Sequence, residues 1–321
     1  MIAVLGSGSW ATEIVHLLTR QSSRRIFWWV RDPQKAVDLR EGHRRLTVSS
    51  DIRAVVEPCD DIVVVVPSAF LLDAAAPLQA SDIEGKNIIS AVKGFIPQER
   101  ATVTRMLTDR YGIPADRLCV LSGPSHAEEV ARGSLTYLTV ATVDKKLSEH
   151  VRDLFDSDVI TTVYSDDMQG VETAAALKNI YAIAAGISYS LGFGDNLMGV
   201  LVAAVLREME RFITAYTADG RQRDMSNYIY LSDLLATCYS QHSRNRTFGE
   251  LMGRGYSPKE ARLMQKMVAE GYYAIDSVAH ICRQLEIDMP IAQALYRILY
   301  QGNSARREFH RLINNLITNE N

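Results

Sequence analysis

Short apolar runs recur along the first half of the chain, each bounded by polar or turn-forming residues: IAVL (2–5), IFWWV (26–30), DIVVVV (61–66), NIISAV (87–92), RLCVL (117–121), YLTVA (137–141) and VITTVY (159–164). Their hydrophobicity is continuous rather than alternating, which marks strands covered on both faces, and most are separated by enough chain for a crossover helix. The first half therefore predicts a doubly wound parallel sheet, an α/β arrangement. After Tyr164 the period changes. GVETAAALKNIYAIAAGIS, NLMGVLVAAVLREMERFITAY and KEARLMQKMVAEGYYAIDSVAHICRQL read as long helices with no strand between them. The polar joint Ser165-Asp166-Asp167 divides the pattern into two domains, 1–166 and 167–321, the second all-helical.

Composition narrows the partner. At 321 residues and 47% hydrophobic content the chain can bury a sizeable core, and its formal net charge of −3 gives no global field for gripping nucleic acid. Any anion site must be local and its ligand small. The four cysteines, Cys59, Cys119, Cys238 and Cys282, lack the paired spacings of metal sites or disulfide frameworks and read as reduced core thiols. The start MIAVLGSGSW has no basic leader region, and the longest apolar run, LMGVLVAAVL, is interrupted by Gly199 and too short to span a bilayer. A cytoplasmic protein with no membrane insertion is expected. The Arg-rich SARREFHRLINN near the end reads as the wet face of an amphipathic helix.

GSGSWA (6–11) follows the first strand and opens a helical run, so it is a G-x-G-x-x-A dinucleotide fingerprint in its proper context, with Gly6 and Gly8 in the glycine positions. The glycines let the backbone turn tightly beside a pyrophosphate, which a helix N-terminus attracts. The second strand ends in Val30-Arg31-Asp32-Pro33, where an acidic residue would take a ribose 2′-OH and an Arg a 2′-phosphate. Asp32 before Pro33 looks like a helix N-cap with Pro at the first helical position, which leaves Arg31 for the cofactor and favours NADP without excluding NAD.

Further on, VKGF (92–95) places Lys93 where strand ends meet ligands in open α/β sheets, although a solvent-facing turn lysine has the same pattern. SGPSHAEEVARG (122–133) follows the next strand, and Ser125 with Glu128 has the spacing of a capping box. ALKN sets Lys178 in a strongly apolar helix, where desolvation lowers its pKa towards the range useful for proton transfer. GFGDN (192–196) breaks the helical run, and DLLATC places Asp233 and Thr237 one helical turn apart. HSRNRTFG (242–249) crowds His242, Arg244 and Arg246 around Asn245, a local anion site in a near-neutral chain, with the planar fork of Arg244 suited to a phosphate. Arg246 and His242 are expected to face solvent or cofactor.

In this order, GSGSW, VKGF, SGPSHAEEVARG, ETAAALKNIYAIAAGI, GFGDN, DLLATCYS and SRNRTFG resemble the cytoplasmic NAD(P)-dependent glycerol-3-phosphate dehydrogenases over nearly the whole chain. The resemblance implies a Rossmann-type domain followed by a helical substrate domain. It implies interconversion of sn-glycerol 3-phosphate and dihydroxyacetone phosphate with NADP or NAD, feeding glycerophospholipid synthesis. Carried over by position, it makes Lys178 the catalytic acid/base, with Lys93 and Asp233 beside it. Lys93, Asn179, Asp233, Thr237, Arg244 and Asn245 would surround a small phosphorylated substrate. Gly123 and Ser125 would stand between the two ligands. Ser9, Trp10, Arg31, Ala127, Val268 and Glu270 would line the cofactor together with Gly6, Gly8, Lys93 and Arg244. A homodimer is suggested by the resemblance and by the long apolar helical faces.

Several positions depart from the family pattern. Its G-x-G-D turn is here Tyr230-Leu231-Ser232-Asp233, the Gly-Gly before ALKN is Ala174-Ala175, and a Lys and an Arg after GDN become Met198 and Ala204. The Y-L-P-G segment near residue 45 is replaced by the shorter GHRRLTVSS. Added side chains crowd backbones that the family holds close, and lost charges weaken a phosphate site. A reductase of another small phosphorylated or acidic 2-hydroxy compound, or a non-catalytic dinucleotide-binding paralogue, stays open as an alternative.

Overall fold

The computed structural model describes residues 1–39, 44–265 and 268–318. The chain forms two compact units, Met1–Val92 with Thr102–Glu172, and Lys93–Ala101 with Thr173–Asn321. The joint between the units lies six residues beyond Asp166, inside a helix, and the segment from Lys93 to Ala101 belongs with the helical part.

The first unit holds an eight-stranded sheet in the order β3-β2-β1-β4-β5-β6-β7-β8. The strands are β1 Ile2–Leu5, β2 Ile26–Trp29, β3 Leu46–Ser49, β4 Asp61–Val64, β5 Asn87–Ser90, β6 Leu118–Ser122, β7 Thr136–Ala141 and β8 Ile160–Ser165. Strands β1 to β6 are mutually parallel, in the 3-2-1-4-5-6 order of dinucleotide-binding folds. The sheet is not wholly parallel, because β7 pairs antiparallel with β6 and carries β8 parallel to itself. The strand the apolar runs do not reveal is β3, which lies at the sheet edge with Val48 buried and Thr47 exposed. An edge strand buried on one side alternates, so a search for continuous hydrophobicity passes over it. It forms most of the second half of GHRRLTVSS; that segment's first two residues lie outside the described residues.

The covering helices are α1 Ser9–Gln21, α2 Pro33–Asp38, α3 Ile52–Val56, α4 Leu71–Ala75, α5 Ala80–Ile83, α6 Val103–Tyr111, α7 Ala127–Ala131 and α8 Lys145–Phe155. A buried cluster including Ile2, Val4, Ile14, Leu18, Trp28, Val63, Ile89 and Val151 seals one face of the sheet.

α9, Met168–Ser190, leads into the second unit. There follow α10 Gly194–Thr217, α11 Tyr228–Tyr239, α12 Arg244–Gly253, α13 Pro258–Met264, α14 Glu270–Leu285, α15 Pro290–Tyr300 and α16 Ala305–Thr318. From Val171 to Ser188 every residue of α9 is buried, which is why the helix is apolar all round. It crosses α12 where Gly186 faces the Arg246 carbonyl and Gly249 faces the Ile183 carbonyl, and a Cβ at either glycine would strike the facing backbone. The run KEARLMQKMVAEGYYAIDSVAHICRQL, expected as one helix, is two, because Gly271 N–H and the Gln265 side chain bond outside the helix, to Asn245 Oδ1 and the Arg244 carbonyl. α16 is amphipathic as expected, with Phe309 and Leu312 buried and Arg306 and Arg307 exposed. All four cysteines are buried and free. Among the described residues no helix is long and apolar enough to cross a membrane.

Candidate active site

In the first unit the turn after β1 is shaped for close backbone approach. Gly6 has φ 127°, and a Cβ there would lie 2.8 Å from the Val65 carbonyl oxygen. Gly8 is the N-cap of the thirteen-residue α1, with no side-chain cap and open space where a Cβ would stand. That cradle and helix start fit a pyrophosphate. Ser9 and Trp10 form the first turn, and Trp10 packs on the core with no partner for its indole N–H among the described residues. Two residues not singled out from sequence fix the other side of the turn: Trp28 Nε1 donates to the Gly6 carbonyl at 2.6 Å and Lys35 Nζ to the Ser7 carbonyl at 2.8 Å. No motif flags them, since each is an ordinary strand or helix residue until the fold brings it to the loop.

Arg31 is exposed at the end of β2, and Asp32 caps α2 by accepting from the backbone of Gln34 and Lys35, as its position before Pro33 implies. At the end of β6, Gly123 has φ 111° and a Cβ would meet the Tyr137 carbonyl at 2.5 Å. Ser125, expected with Glu128 to have the spacing of a capping box, stands one residue before the helix cap. The N-cap of α7 is His126, and the Ser125 hydroxyl turns back to the Gly123 carbonyl at 3.0 Å. Ala127 is the buried first residue of α7. Because β1, β2 and β6 are parallel, all these groups lie along the carboxyl edge of one sheet, where such folds bind ligands.

In the second unit Lys178, Asp233, Thr237 and Lys93 converge. Lys178 Nζ donates to Asp233 Oδ1 at 2.5 Å and to Thr237 Oγ1 at 2.7 Å, while Lys93 Nζ donates to Asp233 Oδ2 at 3.0 Å. The Thr237 hydroxyl in turn donates to the Asp233 carbonyl at 2.6 Å. Lys178 is 5% exposed, so burial drags its pKa down to about 8, while Asp233 pulls upward and Lys93 adds to the fall. Asp233 resists the same burial. The ammonium groups of Lys178 and Lys93 hold its carboxyl below the usual range. Two of the three Lys178 N–H bonds are spent, and the third has no partner among the described residues.

Asn179 and Asn245 are also buried, and Asn245 Nδ2 donates to Asn179 Oδ1 at 2.8 Å. Arg244, half-buried, is the first residue of α12, so its guanidinium starts from a helix N-terminus. Arg246 departs from its expected place facing solvent or cofactor. It pairs with Glu250 at 3.3 Å, donates to the Tyr239 carbonyl and lies 4.7 Å from the Tyr189 ring, whereas His242 is exposed. Val268 and Glu270 flank Ala269, the N-cap of α14. The residues that break the family pattern do not break the cluster. α9 runs unbroken through Ala174-Ala175, Tyr230 is buried, and the Ser232 hydroxyl bonds back to the Tyr228 carbonyl at 2.5 Å. Met198 is buried and Ala204 half-buried on α10.

Comparison with known proteins agrees with this arrangement over both units. Residues 1–148 match the family model for the NAD-dependent glycerol-3-phosphate dehydrogenase N-terminus, and residues 167–310 that for its C-terminus. The chain belongs to this dehydrogenase family. It is 36% identical to a glycerol-3-phosphate dehydrogenase [NAD(P)+] of Syntrophomonas wolfei, over 96% of this chain and 92% of that one. Identity to the enzyme of that name from Oceanobacillus iheyensis is 32%, over 98% and 93%. The crystal structure of glycerol-3-phosphate dehydrogenase from Coxiella burnetii superposes with a TM-score of 0.88 at 28% identity, covering 97% of this chain and 98% of that one.

Proposed function

We propose that this family member interconverts sn-glycerol 3-phosphate and dihydroxyacetone phosphate with NAD or NADP, and that Lys178 is its acid/base. The observation that carries the reading is the buried Lys178 ammonium, pinned by Asp233 and Thr237 with one N–H left over. When bound, the nicotinamide supplies the hydride that reduces the ketone carbon. As charge builds on the ketone oxygen, the remaining Lys178 N–H stabilises it and then transfers its proton, leaving a neutral amine at Nζ. In the reverse direction that amine takes the hydroxyl proton. Asp233 and Thr237 fix which N–H is presented, and Lys93 holds the same oxygen or the neighbouring hydroxyl.

Arg244 takes the phosphate bidentately, and binding energy from that remote dianion orients the carbonyl. Gly6, Gly8, Ser9 and Trp10 would hold the pyrophosphate end of the cofactor, with Ala127 as a further contact in the same unit. Since the Asp32 carboxylate is engaged as a helix cap, Arg31 is the group for the 2′ position, which favours NADP. We read the protein as cytoplasmic and homodimeric, as the family resemblance suggests. Oxidation of NADPH or NADH on adding dihydroxyacetone phosphate is the expected result. Dinucleotide binding with no oxidation would overturn the reading, and turnover only with other ketones would redirect it.

A further inference from the structure

Four segments of the second unit are joined by one line of hydrogen bonds. The Gly271 N–H at the start of α14 donates to Asn245 Oδ1 at 2.9 Å, Asn245 Nδ2 on α12 donates to Asn179 Oδ1 at 2.8 Å, and Asn179 Nδ2 on α9 donates to the Lys93 carbonyl at 2.7 Å. A backbone N–H at one end and a carbonyl at the other allow only one orientation of both amides. Asn179 Nδ2 also reaches the Ala175 carbonyl at 3.4 Å, so both its N–H groups are spent. Asn245 keeps one. The two side chains are 5% and 7% exposed, and Gly271 packs so tightly that a Cβ there would strike the Asn179 carbonyl.

We propose that Asn179 is a positioning residue that sets the main chain of Lys93 and the amide of Asn245, and that it makes no contact with substrate. This rests on the functional reading above. Asn179 has no donor left for a phosphate or hydroxyl, whereas Asn245 has one N–H beside Arg244. Holding the Lys93 carbonyl fixes where its side chain starts, and so where its ammonium stands against Asp233 and the reacting oxygen.

The test is a double-mutant cycle with a labelling arm. Asn179→Ala should lower kcat about 30-fold in the wild-type background and less than about 3-fold in Lys93→Ala, because coupled residues are not additive. Its KM for dihydroxyacetone phosphate, which feels only the freed Asn245 amide, should change less than its kcat. Losses that multiply in full, or a loss confined to KM, would overturn the proposal. Separately, the rate at which Lys93 is acetylated by acetic anhydride, read by mass spectrometry, should rise several-fold in Asn179→Ala while that of solvent-exposed lysines stays constant. An unchanged Lys93 rate would also overturn it. Labelling needs no turnover, so it decides the role of Asn179 even if the wild-type protein proves inactive on this substrate, an outcome that would count against the functional reading alone.

Discussion

Three residues apart on α9, Lys178 and Tyr181 each meet a buried carboxylate, and the two sites are built to opposite ends. Glu208 of α10 accepts from the Ile291 N–H at 2.5 Å, the Ala292 N–H at 3.3 Å and the Tyr181 hydroxyl at 3.0 Å. It caps the first turn of α15 from another helix, and its donors are all fixed protein groups. Asp233 instead receives two ammonium groups, one of which keeps an N–H in hand. Burial pushes Glu208 up to about 7 and Lys178 down to about 8, so both are driven towards neutrality. The perturbed pKa therefore does not separate a reactive site from a structural one here. Unspent hydrogen-bonding capacity does.

The sharpest way to break that distinction is to remove the amine. Lys178→Ala should lower kcat by about 10³-fold or more while leaving the dissociation constant for dinucleotide, measured by fluorescence titration, within about 3-fold. Retained turnover would mean that the leftover N–H is not the proton donor. Next in size is the phosphate anchor. Arg244→Ala should raise KM for dihydroxyacetone phosphate about 30- to 100-fold, as expected for losing a charge-assisted bidentate contact, with a smaller effect on kcat. Kinetics equal to wild type would contradict its assignment.

A pH series sharpens the comparison further. Ketone reduction needs the Lys178 ammonium, so kcat should fall as pH rises through about 8, whereas alcohol oxidation needs the free amine and should rise through the same point. Asp233 pulls the Lys178 pKa upward, so Asp233→Asn should move both midpoints to lower pH, by about one unit. Movement to higher pH would show that the assigned pair does not set the profile.

What the sequence reveals follows the same division. The parallel strands and long helices are legible because both-face burial leaves runs with few polar residues, and Lys178 stands out because a charge in such a run needs a reason. Asp233 and Thr237 are legible as a pair because helical spacing is local. The N-cap position at His126 turns on the bend of Ser125 back to Gly123. The edge strand β3 and the break between α13 and α14 are not legible, since each depends on a partner distant in the chain. The bonds of Trp28 and Lys35 to the glycine turn, and the amide line through Asn179, are hidden for that reason too: residue type permits them, but only the fold chooses their partners.

The smallest expected effect belongs to Glu208. Its side chain touches no proposed ligand group, so Glu208→Gln should leave kcat and KM within about 2-fold and act on stability alone. With the folded pKa raised from 4.5 to about 7, the unfolded chain releases its proton first as pH rises. The favourable contribution is complete below about 4.5 and is lost by the time pH passes about 7, a change on the order of 3 kcal/mol. Gln has no such titration but offers one acceptor oxygen fewer to the backbone N–H groups of α15. Thermal unfolding should therefore show the variant less stable than wild type at pH 5, with the gap closing or reversing at pH 8. A gap that widens with pH would mean that the carboxylate, fed by two backbone N–H groups and Tyr181, is stabilised in its charged form after all, and the contrast with Lys178 would then rest on the spare N–H alone.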